Sequence, residues 1–266
     1  MFDSIAGDYD ALNHILSLDV DKIWRKKALK QIVDAPAPAR VLDLACGTGD
    51  FSIAIAKALS RSHKRVGTPI EAHVKAPAKA PVEAQVTSTG FVTGDSGRSD
   101  LMTKGHVTGV DLSEGMLAVM REKVAKAGLT KMISIEEGDG ENLRFPDNTF
   151  DWVTIAFGIR NFENREKGLR EMLRVLKPGG RLVILELSRP ENKIIRWFYD
   201  LYFLHILPKI GGKVSGDKAA YAYLPASVAA FPGKKAFMAT MREAGFRTVT
   251  HKAFTLGICR MYTGEK

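Results

Sequence analysis

The run Leu42-Asp43-Leu44-Ala45-Cys46-Gly47-Thr48-Gly49-Asp50 places two glycines directly after a short apolar stretch. Without a Cβ, Gly47 and Gly49 let the backbone come close to a ligand. A dinucleotide site would want a third glycine at position 52, where this chain has Ser52. That departure disfavours a nicotinamide ligand but suits a nucleoside without a pyrophosphate. The competing reading is a plain strand-to-helix turn. Asp111 ends the apolar run Val107 to Val110, where a carboxylate can accept from both ribose hydroxyls. It lies about 60 residues beyond the glycines, against about 20 in an ordinary nucleotide fold. Asp139 and Gly140 follow another apolar run, where a carboxylate could take an adenine amino group. An ordinary acidic turn would look the same. Arg160, between Phe157-Gly158-Ile159 and Asn161-Phe162, is a cation that stays protonated and can steady a developing oxyanion, or simply a surface charge.

Positioning these groups takes strands that end where the groups stand. Arg40 to Leu44, Val107 to Val110, Ile133 to Glu137, Phe150 to Ile155 and Arg181 to Glu186 read as buried strands. Helices are expected over Val20 to Val33, Phe51 to Leu59, Glu114 to Ala127 with Ser113 as N-cap, Glu166 to Leu176, Ile194 to Leu207 and Lys234 to Ala244. Lys177-Pro178-Gly179-Gly180 reads as a stop before the fifth strand. Thr248 to Phe254 and Ile258 to Thr263 close the chain as a strand pair. The expected fold is α/β, a doubly wound, mainly parallel seven-stranded sheet with an antiparallel edge strand. Residues 60–105, rich in Ala, Pro, Lys and Ser, read as a disordered insertion, and removing them restores the spacing from the glycine turn to Asp111. Residues 1–34 form an N-terminal helical lid or substrate segment. Residues 35–266 form the main domain, with a lid-like helical segment at 190–232.

The chain has 266 residues, a net charge of +9 and two cysteines. Neither Cys46 nor Cys259 belongs to a C-x-x-C pair, so a disulfide framework and a zinc site are not expected. The cysteine usage and the absence of a signal peptide at Met1 suit a cytoplasmic setting. No apolar run is long enough to span a bilayer. Basic residues are scattered rather than striped, and no nucleic-acid partner is expected. The positive charge fits either a solvated surface or contact with an anionic membrane face. The aromatic segment from Ile194 to Leu207 can be read as a lid, an interfacial helix or a core helix.

The glycine turn, Asp111, Pro146-Asp147-Asn148-Thr149-Phe150-Asp151 and Arg174-Val175-Leu176-Lys177-Pro178-Gly179-Gly180 resemble class I methyltransferases. The opening Phe2-Asp3-Ser4-Ile5-Ala6, with Tyr9-Asp10, Leu12 and Asn13, narrows the resemblance, as do Phe157 to Asn161 and Gly216-Asp217-Lys218 with Tyr221, Tyr223 and Leu224. Together these resemble the ubiquinone/menaquinone biosynthesis C-methyltransferases over nearly the whole chain. The resemblance implies S-adenosyl-L-methionine as cofactor, held by Thr48, Asp111, Asp139 and Gly140, with Gly47, Gly49 and Ala156 beside them. It implies a polyprenyl quinol as acceptor, with Tyr9, Arg160 and Asn161 on that side. The acceptor would be demethylmenaquinol or a benzoquinol. His205, Asp217 or a water held by Arg160 would take its proton. Another small-molecule acceptor and a non-catalytic subunit of a quinone-synthesis complex remain as alternatives.

Overall fold

Alternate residues of the strand Arg40–Leu44 (β1) feed opposite faces of one sheet. Val41 packs with Trp24, Ile55 and Leu117, whereas Leu42 and Leu44 pack with Leu169, Met172 and Phe237. Each such fully buried leucine contributes about 1.5–3 kcal/mol of transfer energy. The computed structural model describes residues 19–33, 39–66, 105–202 and 218–266. Parallel to β1 run His106–Asp111 (β2), Ile133–Glu137 (β3), Phe150–Ala156 (β4) and Leu176–Leu187 (β5). Arg247–Phe254 (β6) and Cys259–Glu265 (β7) complete a seven-stranded sheet of order β3-β2-β1-β4-β5-β7-β6. The closing pair forms one side of this mostly parallel sheet, with the antiparallel strand one place in from the edge: β7 slots between β5 and β6 and pairs antiparallel with both.

Helices Val20–Val33 (α1), Asp50–Val66 (α2) and Glu114–Lys126 (α3) supply one core, through Trp24, Ile55 and Met120. Arg165–Val175 (α4) supplies the other, through Leu169 and Met172. Lys193–Leu201 (α5), Lys218–Ala230 (α6) and Lys234–Glu243 (α7) complete the described helices, and Phe237 and Met241 of α7 join the second core. The order of β1 among its neighbours reverses the chain's direction of travel across the sheet. That reversal opens a crevice at the carboxyl ends of β1 and β4, where such sheets place their ligands.

The structure matches α1 to the residue and bears out the Ser113 cap, whose hydroxyl accepts from the Met116 amide at 3.2 Å. Two boundaries are corrected. Helix α2 continues past Leu59 to Val66, so residues 60–66 are helix rather than insertion. Arg61, Lys64 and Arg65 are good helix formers, and the first helix breaker is Gly67. The rest of the expected insertion, 67–104, lies outside the described residues. Strand β5 starts at Leu176, before the expected stop. Phe150 pairs with Leu176 and Trp152 with Arg181, so Lys177 to Gly180 bulge out opposite Asp151 alone. The breaker residues make a detour inside the strand, with Gly179 at φ 77°. Described α5 ends at Leu201 with Tyr202 as its C-cap, and residues 203–207 of the expected helix, together with Tyr9, His205 and Asp217, fall outside the described residues.

Two side-chain anchors fix the loops that carry the site. Arg174 donates to the carbonyls of Leu143 and Phe145 at 2.9 and 2.8 Å and to Glu171 at 2.8 Å. Glu171 in turn accepts from the Leu143 amide at 2.9 Å, and its bond to Arg174 holds its carboxyl below the usual range. The loop after β3 is thereby tied to α4. On the other side, the Trp24 indole donates to Thr255 Oγ1 at 2.9 Å, binding α1 to the turn between β6 and β7.

Gly49, at φ +84°, could not carry a Cβ without meeting Met120 Cγ at 2.5 Å, whereas a Cβ on Gly128, at φ +66°, would meet nothing within 4 Å. Gly128→Ala is therefore expected to cost only the left-handed backbone penalty, about 1–2 kcal/mol. Gly49→Ala adds overpacking and should cost about 2–4 kcal/mol. Urea denaturation of the two variants side by side measures the difference, and equal losses would contradict the close approach of α3 to the glycine turn.

Candidate active site

The ends of β1, β2 and β3 meet at Asp111, whose carbonyl accepts from the Gly138 amide after β3 at 3.0 Å. Its Oδ2 accepts from the Gly47 amide at 2.8 Å and its Oδ1 from the Ser113 amide at 2.9 Å. The Cys46 amide donates to the Val110 carbonyl at 3.1 Å. Gly47 at φ 55° and Ala45 at φ 47° let the turn after β1 bend back toward β2. An ionised carboxylate has about four lone-pair positions, so it can serve backbone amides and ligand hydroxyls alike.

A cavity of about 330 Å³ opens beside Asp111. Asp139, Gly140, Leu112 and Met116 line it, with Asn161 and Phe162 opposite. Asp139 is shaped by its own turn, Oδ1 accepting from the Glu141 amide at 2.8 Å. A Cβ on Gly140 would stand 2.6 Å from the Phe162 ring, so the turn and the ring pack as a unit. Carboxylates at two ends with apolar side walls suit a nucleoside, whose sugar and amino edges are polar and whose base faces are not. Leu112, 68% exposed next to Asp111, offers such a face at the rim.

A second cavity, about 500 Å³, lies on the α1 side of β1. Its walls are mostly apolar, including Trp24, Phe51, Phe157, Ile195 and Leu224. Its polar end holds Asp43, Thr48, Asp50 and Arg25. Thr48 Oγ1 accepts from Lys123 Nζ at 3.2 Å, and Lys123 also pairs with Asp50. Arg25 bonds Asp21 at 2.7 Å and lies 5.6 Å from the Phe157 ring centroid. The two cavities share Ala45, Gly47, Ala156 and Phe157 as a common wall.

Asp43 is a functional candidate that the sequence reading passed over. Its place in β1 puts it on the same face as Val41, fully buried and at the floor of the larger cavity. Ser52 and Thr154 each donate a hydroxyl to it at 2.6 Å. Burial pushes its carboxyl up to about 6, against the pull of those two bonds. Ser52, the residue standing where a third glycine was sought, thus has a specific partner. A lone carboxylate in an otherwise apolar buried strand was the available signal.

Arg160 and Asn161 share the short 3-10 turn Ile159–Asn161 after β4 but face different ways. Arg160 is buried and lines the larger cavity. Its Nη1 donates to Glu186 Oε1 at 3.0 Å and to the Phe157 carbonyl, and its Nε to Ser227 Oγ at 3.3 Å. Phe157, at φ 64°, turns its carbonyl to Arg160 and its ring toward Trp24 at 6.1 Å. Asn161 lines the smaller cavity, and its Oδ1 accepts from Tyr223 Oη at 2.9 Å. Asn161, expected with Arg160 on the acceptor side, thus lines the other cavity, and its side chain anchors α6 there. A 3-10 turn advances about 120° per residue, which sends neighbours apart.

The sequence profile of the ubiE/COQ5 methyltransferase family matches residues 1–266. Over 266 residues the chain is 44% identical to the ubiquinone/menaquinone biosynthesis C-methyltransferase UbiE of Geobacter sulfurreducens, covering 100% of this chain and 87% of that protein. It is 38% identical over 266 residues to the demethylmenaquinone methyltransferase of Bacteroides fragilis, covering 100% and 91%. Among solved structures, a SAM-dependent methyltransferase of Thermotoga maritima superposes with a TM-score of 0.57 at 17% identity, over 100% of this chain and 98% of that one. One from Aquifex aeolicus gives 0.54 at 19% identity, over 91% and 88%. These two likenesses concern the fold. The full-length match to the profile, on a chain whose sheet carries the expected turn, carboxylate and strand-end arginine, settles descent: the chain belongs to the ubiE/COQ5 methyltransferase family.

Proposed function

We propose that this protein is an S-adenosyl-L-methionine-dependent C-methyltransferase that converts demethylmenaquinol to menaquinol. The observation that carries this reading is the pair of cavities meeting at one wall, the smaller suited to a nucleoside and the larger mostly apolar. The names of the relatives support the acceptor, since the Bacteroides fragilis protein is named for demethylmenaquinone. A polyprenyl benzoquinol is the second reading, because the Geobacter sulfurreducens relative is named for both quinones.

When bound, S-adenosyl-L-methionine supplies an electrophilic methyl group on a cationic sulfonium. Asp111, with Asp139 and Gly140, would hold its nucleoside half, and Thr48 and Asp43 its amino-acid half. The remaining task is to make the acceptor carbon electron-rich. A quinol that loses a phenolic proton pushes charge through the ring onto carbon, which an oxidised quinone cannot do. Arg160 steadies that phenolate, because a guanidinium keeps its proton and its field is strong where water is excluded. The apolar walls exclude that water and orient the ring.

The acceptor's isoprenoid tail would reach a lipid surface. On α5, Ile194, Trp197, Phe198 and Leu201 recur at helical spacing and are 70%, 61%, 59% and 39% exposed. Of the three readings of this segment, a plain core helix is disfavoured over the described part, 193–201, where only Tyr199 is buried. Among the described residues no helix is long and apolar enough to cross a membrane. The exposed stripe, beside a cavity that Ile195 and Phe198 line, favours peripheral contact. The net charge of +9 favours anionic lipid.

Three outcomes are expected. In parallel assays with short-tailed reduced acceptors, the naphthoquinol should be methylated faster than the benzoquinol, and Arg160→Ala should lose about 100-fold or more in kcat with cofactor affinity nearly intact. Activity with neither acceptor would end the reading. Cofactor affinity, followed by calorimetry, should rise as pH climbs through about 6, because Asp43 ionises there and attracts a cation. Asp43→Asn should flatten that rise. The same group works against the fold: its folded pKa exceeds the ordinary 3.8, so ionising it removes stability between those two values. Finally, the protein should float with anionic vesicles at moderate salt, and Ile194→Glu with Trp197→Glu should abolish flotation. Absence of lipid-dependent binding by the unaltered protein would reject the membrane contact.

A further inference from the structure

Glu186 is fully buried at the carboxyl end of β5, and methyl transfer as described gives it no task. Its oxygens divide their work. Oε1 accepts from Arg160 Nη1 at 3.0 Å and from the Leu187 amide at 2.8 Å. Oε2 accepts from the Arg160 backbone amide at 3.1 Å. One carboxylate therefore fixes both where the Arg160 backbone sits and where its guanidinium points. Arg260, in register opposite Glu186 on β7, reaches Glu191 at 3.4 Å. Glu186 is left as the carboxylate that balances Arg160.

The energetics favour a specific task. A buried carboxylate is costly unless paired and hydrogen-bonded, and an apolar residue would pack this position at lower cost. With Nη1 and Nε occupied, no described residue accepts from Arg160 Nη2. The guanidinium edge that remains is the one available to an oxygen in the larger cavity, which Arg160 lines. Glu186, the Phe157 carbonyl and Ser227 together set the angle of that edge, and Glu186 is the charged partner among them, which makes its bond the strongest.

We propose that Glu186 is a positioning residue for methyl transfer, holding the Arg160 guanidinium at the angle that meets the acceptor oxygen. The inference rests on the acceptor-side role of Arg160. The test is a double-mutant cycle on kcat, with saturating cofactor and a short-tailed naphthoquinol. Glu186→Gln is expected to lower kcat by about 100-fold, as misplacement of a reacting partner by about 1 Å can. KM for both substrates should move less than about threefold. Combined with Arg160→Ala, it should add no further loss, because its effect passes through Arg160. Glu186→Asp keeps the charge and shortens the arm by one methylene. It serves where Glu186→Gln fails to fold, and should show the same absence of added loss. An equal fold-loss on the Arg160→Ala background would overturn the proposal while leaving the role of Arg160 standing. A raised KM with kcat unchanged would do the same. Full turnover by Arg160→Ala would instead remove the acceptor-side reading, and the proposal with it.

Discussion

The whole site hangs on one carboxylate bonded to two backbone amides. Asp111 stands at the end of β2 and grips Gly47 from the neighbouring turn and Ser113 from the start of α3. These bonds pull the loops after β1 and β2 into one rim. An N–H left without a partner at this half-buried turn costs free energy, so these bonds hold the rim together. Everything else is arranged around that fixed edge: the nucleoside-shaped space on one side of Gly47 and the apolar space on the other.

Two further carboxylates, Asp43 and Glu186, lie below the rim with essentially no exposure. They are satisfied in different ways. Asp43 receives only neutral hydroxyls, which pull its pKa down by less than burial raises it, so its proton is held more tightly than in water. Glu186 receives a guanidinium and two amides, so its charge is matched on the spot. One site thus contains an unbalanced negative group beneath the position suited to a cation, and a balanced pair beneath the position suited to an apolar ring. The difference lies in the donors, hydroxyl against guanidinium, and not in depth.

Much of this was legible in the residues alone. The residues of β1 and β3 and the spacing along α1 specify their elements to the residue, β1 because burial on both faces leaves a nearly unbroken pattern and α1 because one buried face recurs at helical spacing. Gly47, Asp111, Asp139 and Arg160 were readable because each stands at the end of a strand or in the turn just after it. The remainder depends on partners distant in sequence. Nothing near Ser52 announces Asp43, and nothing near Asn161 announces Tyr223, 62 residues away. Helix α6 carries Pro225 within it, which a local reading takes as a break. The bulge at Lys177 to Gly180 keeps breaker residues inside a strand because β4 continues past them on the far side.

The wall formed by Ala45, Gly47, Ala156 and Phe157 separates two spaces with different rims, Leu112 on one and Leu256, 73% exposed, on the other. A molecule gripped by Asp111 on one side and by Asp43 and Thr48 on the other would straddle this partition. Its middle would then lie over Gly47 and Ala156 and face the apolar space, where a lipid-tethered molecule would meet it from the other side.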